Sequence, residues 1–150
     1  MSRPGRALRA LRKLSWTQRR LAAQAWLLLP LTAAGLRILG FQRVLAIVVR
    51  VDAPPACGVD VAAAQAVARL VHGAGNWSPF HANCLPRALV LCRLLRLQGL
   101  AANLRVGVAR PGGTFAAHAW VEHGGVALAE AESVSERYAS FDDIHEIKSA

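Results

Sequence analysis

A cysteine at the start of an apolar helix is the residue of this chain best placed to do chemistry. Cys84 follows Asn83, whose side chain suits an N-cap, and Pro86 is tolerated in a first turn because its missing N–H has no partner there. Apolar residues then recur at helical spacing up to Gly99, which predicts a helix ending at Gln98. The positive end of a helix dipole favours a thiolate, so this position suits a nucleophilic cysteine. A small core residue that happens to begin a helix would give the same pattern.

His118 is the second candidate, because it lies in the middle of a strand predicted over Phe115 to Glu122. Side chains alternate along a strand, so His118, Trp120 and Glu122 share one face. The neighbouring alanines leave room around the ring, which suits a general base. A half-buried strand histidine with a backbone partner would give the same pattern.

The turn after this strand decides whether Glu130 faces His118. A two-residue loop at Gly124-Gly125 would place Glu130 on the opposite face of the sheet. A three-residue loop that also includes His123 would place Glu130 directly opposite His118. We predict the three-residue loop, because a glycine in the left-handed conformation suits it.

In the three-residue register, Glu130 would accept a hydrogen bond from one ring nitrogen of His118 and fix its tautomer. The other ring nitrogen would then face the thiol of Cys84. In the two-residue register, Glu132 and Asp142 are the substitutes for Glu130.

The cysteine count bears on compartment and metal. The three cysteines Cys57, Cys84 and Cys92 are an odd number and include no CxxC pair. Cys84 and Cys92 lie eight residues apart (92 − 84), about two helical turns, which is too far along one helix for a disulfide. The pattern favours a reduced, cytoplasmic protein, and neither a zinc site nor any other cofactor is predicted.

Positive charge is concentrated in the first third of the chain. The net charge is +9, and residues 1–50 hold ten Lys or Arg and no acidic residue. A solvated basic helical face is the favoured interpretation, and an anionic partner (an acidic peptide, a membrane or a nucleic acid) is the functional alternative. Aromatic residues do not interleave with the basic ones as a nucleic-acid platform requires, so nucleic acid is not expected.

Hydrophobic periodicity predicts an α+β fold, with a helical N-terminal half followed by a cysteine-bearing helix on a small antiparallel sheet. Besides the helix at Cys84, the predicted helices cover 16–29, 31–39, 41–51 and 59–72. The strands cover 104–108, 115–122 and 126–130. Ser15 caps the first helix, Pro30 bends or ends it, and 73–76 ends the helix before the cysteine.

A linker with two prolines, 52–58, is the best internal boundary. It separates a basic helical region, 1–52, from a core, 58–150, although one continuous domain over 1–150 is also compatible with the pattern. Leu21 to Leu39 is apolar, but Gln24, Pro30 and Arg37 interrupt it. Buried helices are therefore favoured over a span or a signal sequence, with peripheral membrane contact as the alternative.

Two motifs, at this separation and in this order, resemble a known family: Asn83-Cys84-Leu85-Pro86-Arg87-Ala88-Leu89 and Phe115-Ala116-Ala117-His118-Ala119-Trp120-Val121-Glu122. With Leu94-Leu95-Arg96-Leu97-Gln98-Gly99 and Val106-Gly107-Val108, they resemble the lasso-peptide biosynthesis leader peptidases. These enzymes belong to the transglutaminase-like branch of the papain-like cysteine proteases. The resemblance is close over about residues 76–140.

The resemblance implies that Cys84 is the nucleophile and His118 the base. Glu130 stands where the family usually has aspartate, and would orient the base. The implied reaction hydrolyses the peptide bond that joins leader to core in a ribosomally made precursor, through an acyl-enzyme and without a cofactor. The implied partners are the precursor, a separate leader-recognition protein and the macrolactam synthetase that receives the core.

Two other functions stay open at this point. The same three residues could transfer the acyl group to an amine, as transglutaminases do. A different class, a non-catalytic membrane-associated or scaffolding module, would use the basic helical half and would not need Cys84.

Overall fold

The computed structural model describes residues 14–49, 58–77, 83–109, 114–130 and 134–140, and the structural statements below refer to these ranges. The helices are α1 (Trp16–Ile38), α2 (Phe41–Val49), α3 (Val61–Trp77), α4 (Cys84–Leu97) and α5 (Val134–Arg137). The strands are β1 (Asn103–Ala109), β2 (Ala116–His123), β3 (Val126–Ala127) and β4 (Ala139–Ser140). Four helices precede one antiparallel sheet of order β3-β2-β1-β4, which confirms the predicted α+β class.

α1 is one continuous helix where the sequence predicts two. Ser15 begins it with a capping box, in which its hydroxyl accepts from the Gln18 N–H and its own N–H donates to Gln18. The predicted break at Pro30 is wrong, because the helix runs through it. A proline inside a helix costs about 3 kcal/mol, and burial of Ala25 and Leu29 as α1 packs along α3 and α4 offsets that cost.

α3 also runs past its predicted end. The side chain of Asp60 accepts from the Ala63 N–H at 2.9 Å and caps the helix, which then continues through 73–76 to Trp77. The predicted break there is wrong because packing outweighs the low helix propensity of glycine, about 1 kcal/mol per residue. At Gly75 a Cβ would lie 2.7 Å from Nε of Arg87 on α4, so a larger residue there would require the Arg87 side chain to shift.

α4 is the central element of the fold. It contacts α1, α3 and β2, and eight of its fourteen residues are buried: Pro86, Ala88, Leu89, Val90, Leu91, Cys92, Leu94 and Leu95. Gly99, with φ at +75°, follows its C-cap, as predicted. Because α4 is fixed on several sides, its first residue has a defined place in the fold.

β2 presents its buried residues Ala119 and Val121 to the core. His123 is buried at the end of the same strand, where its Nε2 accepts from the Asp60 N–H at 3.1 Å and its Nδ1 bonds the Ala101 carbonyl. The histidine thereby joins the end of β2 to the start of α3. The central pairing, β1 with β2, runs from Asn103 opposite Glu122 to Ala109 opposite Ala116.

The edge strand β4 is not predicted by the sequence, and Gly107 is the position that admits it. A Cβ on Gly107 would lie 2.8 Å from the Ala139 carbonyl oxygen and 3.0 Å from the Trp120 ring. We expect Gly107→Ala to lower the free energy of unfolding by about 1–3 kcal/mol, because backbone and a buried ring must both shift. Urea denaturation measures this loss.

Gly73→Ala is the matched control for Gly107→Ala. A Cβ at Gly73 meets no atom within 4 Å, and the residue lies inside α3. This substitution should be neutral or should stabilise the protein by up to about 1 kcal/mol. Equal effects of the two substitutions would contradict the packing assigned to Gly107.

Candidate active site

Cys84 is the first residue of α4, as the sequence predicts, but the side chain of Asn83 does not cap the helix. Asn83 has the extended backbone of an N-cap (φ −60°, ψ 167°), yet its side chain makes no capping hydrogen bond, so that part of the prediction is wrong. An N-cap side chain normally accepts from the second or third helical N–H. The third helical residue is Pro86, which has no N–H, so one of the two usual donors is missing.

The backbone at the start of α4 therefore offers hydrogen-bond donors beside the thiol. The first N–H groups of any helix, here those of Cys84 and Leu85, have no acceptor within the helix. An oxyanion that forms on a carbonyl carbon attacked by Cys84 could accept from them.

A cavity of about 140 Å³ brings the predicted residues together. Its polar lining comes from α3, α4, β2 and the segment after β3: His72, Cys84, Arg87, His118 and Glu130. The apolar lining includes Leu91, Trp120 and Leu128. Three elements and one irregular segment must therefore be correctly packed before the cavity exists.

His118 and Glu130 are in contact in this cavity. The Nε2 of His118 lies 3.2 Å from Oε1 of Glu130, and both side chains are half-buried. Because Glu130 occupies Nε2, Nδ1 is the ring nitrogen left for a proton from the Cys84 thiol. Glu130 thus occupies the place that the sequence assigned to it.

The predicted route to that place is nevertheless wrong. β2 and β3 are joined by two residues, with His123 paired to Val126. Gly124 and Gly125 both have positive φ, +58° and +79°, which is the geometry of a two-residue type I′ hairpin. A regular strand in this register would carry Glu130 to the face away from His118.

Ala129 resolves the contradiction, because it takes the left-handed conformation with φ at +53°. The ladder continues as far as Leu128, whose N–H donates to the Val121 carbonyl at 2.9 Å. The change of backbone direction at Ala129 ends the side-chain alternation and returns Glu130 to His118. The substitutes considered from the sequence, Glu132 and Asp142, lie outside the described residues.

Gln65 on α3 holds this irregular segment. Its Nε2 donates to the Ala127 carbonyl at 3.3 Å, and its Oε1 accepts from the Ala129 N–H at 3.0 Å. A left-handed backbone at a residue other than glycine costs about 1–3 kcal/mol and persists only where its surroundings fix it. The sequence gives no sign of this role, since Gln65 lies in an alanine-rich helix and belongs to no motif.

Gln65→Met should therefore disturb Glu130 from a distance. The variant keeps the length of the side chain but loses both hydrogen bonds, and misplacement of a reacting group by about 1 Å can cost as much as ~100-fold in rate. We expect the rate of Cys84 alkylation by iodoacetamide to fall and its pH dependence to move towards that of a Glu130→Ala variant.

Gln98→Met is the control for this experiment, because Gln98 bonds only the Leu94 carbonyl on its own helix. An unchanged pH dependence in Gln65→Met would show that Gln65 does not position Glu130.

His72 on α3 is a second histidine of the cavity that sequence analysis missed. Burial lowers its pKa below the ordinary value of 6.5, and the positive charges of Arg87 and His118 act in the same direction, while Glu130 opposes them. Arg87 donates to the side chain of Asn76 at 3.1 Å, and its Nε is buried without a hydrogen-bond partner among the described residues. The lowered pKa means that the neutral form of His72 predominates at pH 7.

The lowered pKa of His72 predicts how stability depends on pH. As the pH falls below 6.5, the unfolded chain takes up a proton at His72 before the folded protein does. Acidification therefore lowers the free energy of unfolding, and the contribution of neutral His72 to stability is fully present only above pH 6.5. We expect His72→Asn to lose less stability than the wild type between about pH 7 and pH 5, measured as urea midpoints. Parallel pH profiles would contradict this assignment.

Aromatic rings support His118 on the remaining side. The ring of Trp120 stacks on His118 at 6.2 Å between centroids, and Tyr138 lies 5.2 Å away. Trp120 Nε1 donates to Glu122 at 2.9 Å, and Nε of Arg105 donates to the same carboxylate at 3.2 Å. The predicted shared face of His118, Trp120 and Glu122 is confirmed, whereas Tyr138 comes from a segment without a recognisable pattern.

Cys92 is not a second reactive thiol. It is buried on α4, its Sγ lies 3.7 Å from the Ala102 carbonyl, and burial raises the pKa of its thiol. Cys84 is half-buried and lines the cavity, while Cys57 lies outside the described residues.

A cysteine at a helix start that shares a cavity with a histidine–carboxylate pair defines a candidate centre for acyl chemistry through a thioester. The sequence profile of the transglutaminase-like superfamily matches residues 25–143, so the chain belongs to this superfamily. The superfamily includes cysteine peptidases and acyl transferases, and its members are usually catalytic. Neither the curated proteins nor the solved structures include a significant match to the chain.

Proposed function

We propose that the protein is a cysteine peptidase that removes the leader from the ribosomally made precursor of a lasso peptide. The observation that carries this proposal is the His118–Glu130 pair in the cavity that Cys84 lines. The two sequence motifs around Cys84 and His118 supply the substrate class through their resemblance to leader peptidases.

The proposed reaction begins with proton transfer from the Cys84 thiol to Nδ1 of His118. The thiolate attacks the scissile carbonyl carbon, and the N–H groups at the start of α4 stabilise the oxyanion. Collapse breaks the C–N bond as protonated His118 gives its proton to the leaving amine of the core peptide. Glu130 stabilises the positively charged ring during this step.

The leader is then held as a thioester on Cys84. His118 removes a proton from water, the hydroxide attacks the thioester carbonyl, and the C–S bond breaks. The products are a leader with a free carboxylate and a regenerated thiol. The second half of the reaction needs no group beyond those used in the first.

The size of the cavity limits how much of the precursor peptide it can hold. About 140 Å³ admits the scissile peptide unit and a small neighbouring group, not a whole leader. Affinity for the leader must then come from another surface, which agrees with the proposed separate leader-recognition protein. We propose that the freed core passes to a macrolactam synthetase, and that the reaction takes place in the cytoplasm, where the thiol of Cys84 stays reduced.

Acyl transfer to an amine is the second candidate, because the superfamily includes acyl transferases and both reactions share the thioester. The decisive experiment incubates the full chain with a precursor peptide, the recognition protein and a primary amine, and weighs the products. A leader with a free carboxylate supports hydrolysis, and a leader joined to the amine supports transfer. An unchanged precursor in every mixture would overturn the proposed function.

A further inference from the structure

α1 has an apolar face that the rest of the described structure does not cover. One side of the helix packs along α3 and α4, where Ala25 and Leu29 are buried. The opposite side exposes large apolar side chains at helical spacing: Trp16 (74% exposed), Leu27 (57%), Leu31 (66%) and Ile38 (80%). Large apolar side chains that recur at helical spacing on an exposed face have the composition of a contact surface.

Length and composition alone would let α1 cross a membrane. Among the described helices it is the one that is long and apolar enough, and only 11% of its most apolar window is buried, unlike an ordinary core helix. A spanning position would carry α3 and α4, which pack against it, into the hydrocarbon, together with charged residues such as Arg93. Ionised side chains are costly there, so the geometry favours contact along the helix over insertion through the bilayer.

The charges beside this face indicate the sign of the partner. Arg20 and Arg37 are exposed on α1, and Arg43 is exposed at the start of α2. Residues 1–50 contain no acidic residue that would offset them. Exposed tryptophan at the edge of an apolar stripe, with arginines alongside, is typical of helices that lie in the interface of an anionic bilayer.

We propose that the α1 apolar face (Trp16, Leu27, Leu31 and Ile38, with Arg20 within it near the N-terminus and Arg37 beside it) docks on an anionic lipid bilayer, with the helix axis parallel to the membrane surface. The apolar side chains enter the interface and the guanidinium groups pair with lipid phosphates. This docking surface is separate from the cavity at Cys84 and does not depend on the reaction proposed there.

Co-sedimentation of the full chain with vesicles tests the proposal. Vesicles of phosphatidylcholine and phosphatidylglycerol are compared with vesicles of phosphatidylcholine alone. We expect partition into the anionic vesicles that weakens with added salt, and a shift of tryptophan fluorescence to shorter wavelength. The double variant Leu27→Ser/Leu31→Ser should lower the partition coefficient at least about tenfold, and Arg20→Gln/Arg37→Gln should weaken the preference for anionic lipid.

Leu97→Ser is the matched control, because Leu97 is 52% exposed but lies at the end of α4, away from this face. Wild-type partition in Leu97→Ser, with loss in the double variant, supports the assignment. Protein that stays in the supernatant, or equal partition of the double variant, overturns it. Resistance to alkaline carbonate extraction would show that α1 spans the membrane, and this would overturn the proposal. The proposal would also fail if Leu27→Ser/Leu31→Ser lost a protein partner while its binding to vesicles was unchanged, because the face would then belong to that partner.

Discussion

Cys84→Ala should abolish cleavage of the precursor while the protein remains folded. The substitution removes the only atom that forms the thioester, and loss of a nucleophile that acts as a unit with its base costs about 10⁴-fold or more. Cys84 is half-buried at a helix start, so alanine keeps the backbone and leaves no large cavity in the core. Mass spectrometry of the products, with circular dichroism of the variant, checks both halves of this expectation.

Cys92→Ala is the matched control, because Cys92 lies on the same helix and is buried away from the cavity. It should lose a little stability and retain cleavage. Peptide mapping after brief treatment with iodoacetamide should find Cys84 modified before Cys92, since the raised pKa of the Cys92 thiol keeps it protonated. Cleavage by Cys84→Ala at the wild-type rate would show that Cys84 is not the nucleophile.

Glu130→Ala should lower the cleavage rate strongly, although less than Cys84→Ala does. Without the carboxylate, His118 loses the partner that orients its ring and stabilises its positive charge, and comparable losses reduce turnover by about 10²–10⁴-fold. Glu130→Gln should lie close to Glu130→Ala, because an amide keeps the shape but not the charge. Cleavage rates as a function of pH measure the loss.

Glu130→Asp tests the departure of this chain from the aspartate that is usual in the leader peptidases it resembles. The contact of 3.2 Å depends on the backbone conformation at Ala129 and on the full length of the glutamate side chain. A side chain shorter by one methylene should fail to reach Nε2, so Glu130→Asp should fall well below the wild type. A wild-type rate would show that the segment after β3 adjusts freely, contrary to the role assigned to Gln65.

Glu122→Gln is the carboxylate control for both Glu130 variants. Glu122 bonds Trp120 and Arg105, not His118. Its loss should lower stability and leave the pH dependence of cleavage unchanged. The same pH shift in Glu122→Gln and Glu130→Gln would show that the effect is a general loss of negative charge near the site.

Local rules in the sequence were sufficient to predict α4, which begins at Cys84, and β2, which carries His118. Pro86 and Gly99 act within one or two turns of their own positions, so the bounds of α4 follow from the sequence. Alternation along β2 likewise places Trp120 and Glu122 on the face of His118. These features depend on backbone sterics and side-chain periodicity, which neighbouring residues express without help from the rest of the chain.

Packing between distant elements decided the remainder. α1 runs through Pro30 and α3 runs through 73–76 because burial against α4 outweighs a local propensity of a few kcal/mol. His72 reaches the cavity, and Tyr138 reaches the ring of His118, from segments that carry no motif. Helix propensity gives only the free-energy cost of a proline or glycine within a helix. The contacts that offset this cost come from residues far away in the chain.

Cys84 and His118 could therefore be placed from the sequence, whereas the position of Glu130 could be explained only by the tertiary structure. The sequence predicted the contact between Glu130 and His118 from the wrong hairpin register, because side-chain alternation says nothing about a residue that leaves the strand conformation. Ala129 leaves the strand conformation with φ at +53°. Gln65, more than sixty residues earlier, bonds the backbone of Ala127 and Ala129 and holds this turn. A left-handed alanine is unfavourable by itself, so the third member of the candidate site exists only when α3 packs against the end of the sheet.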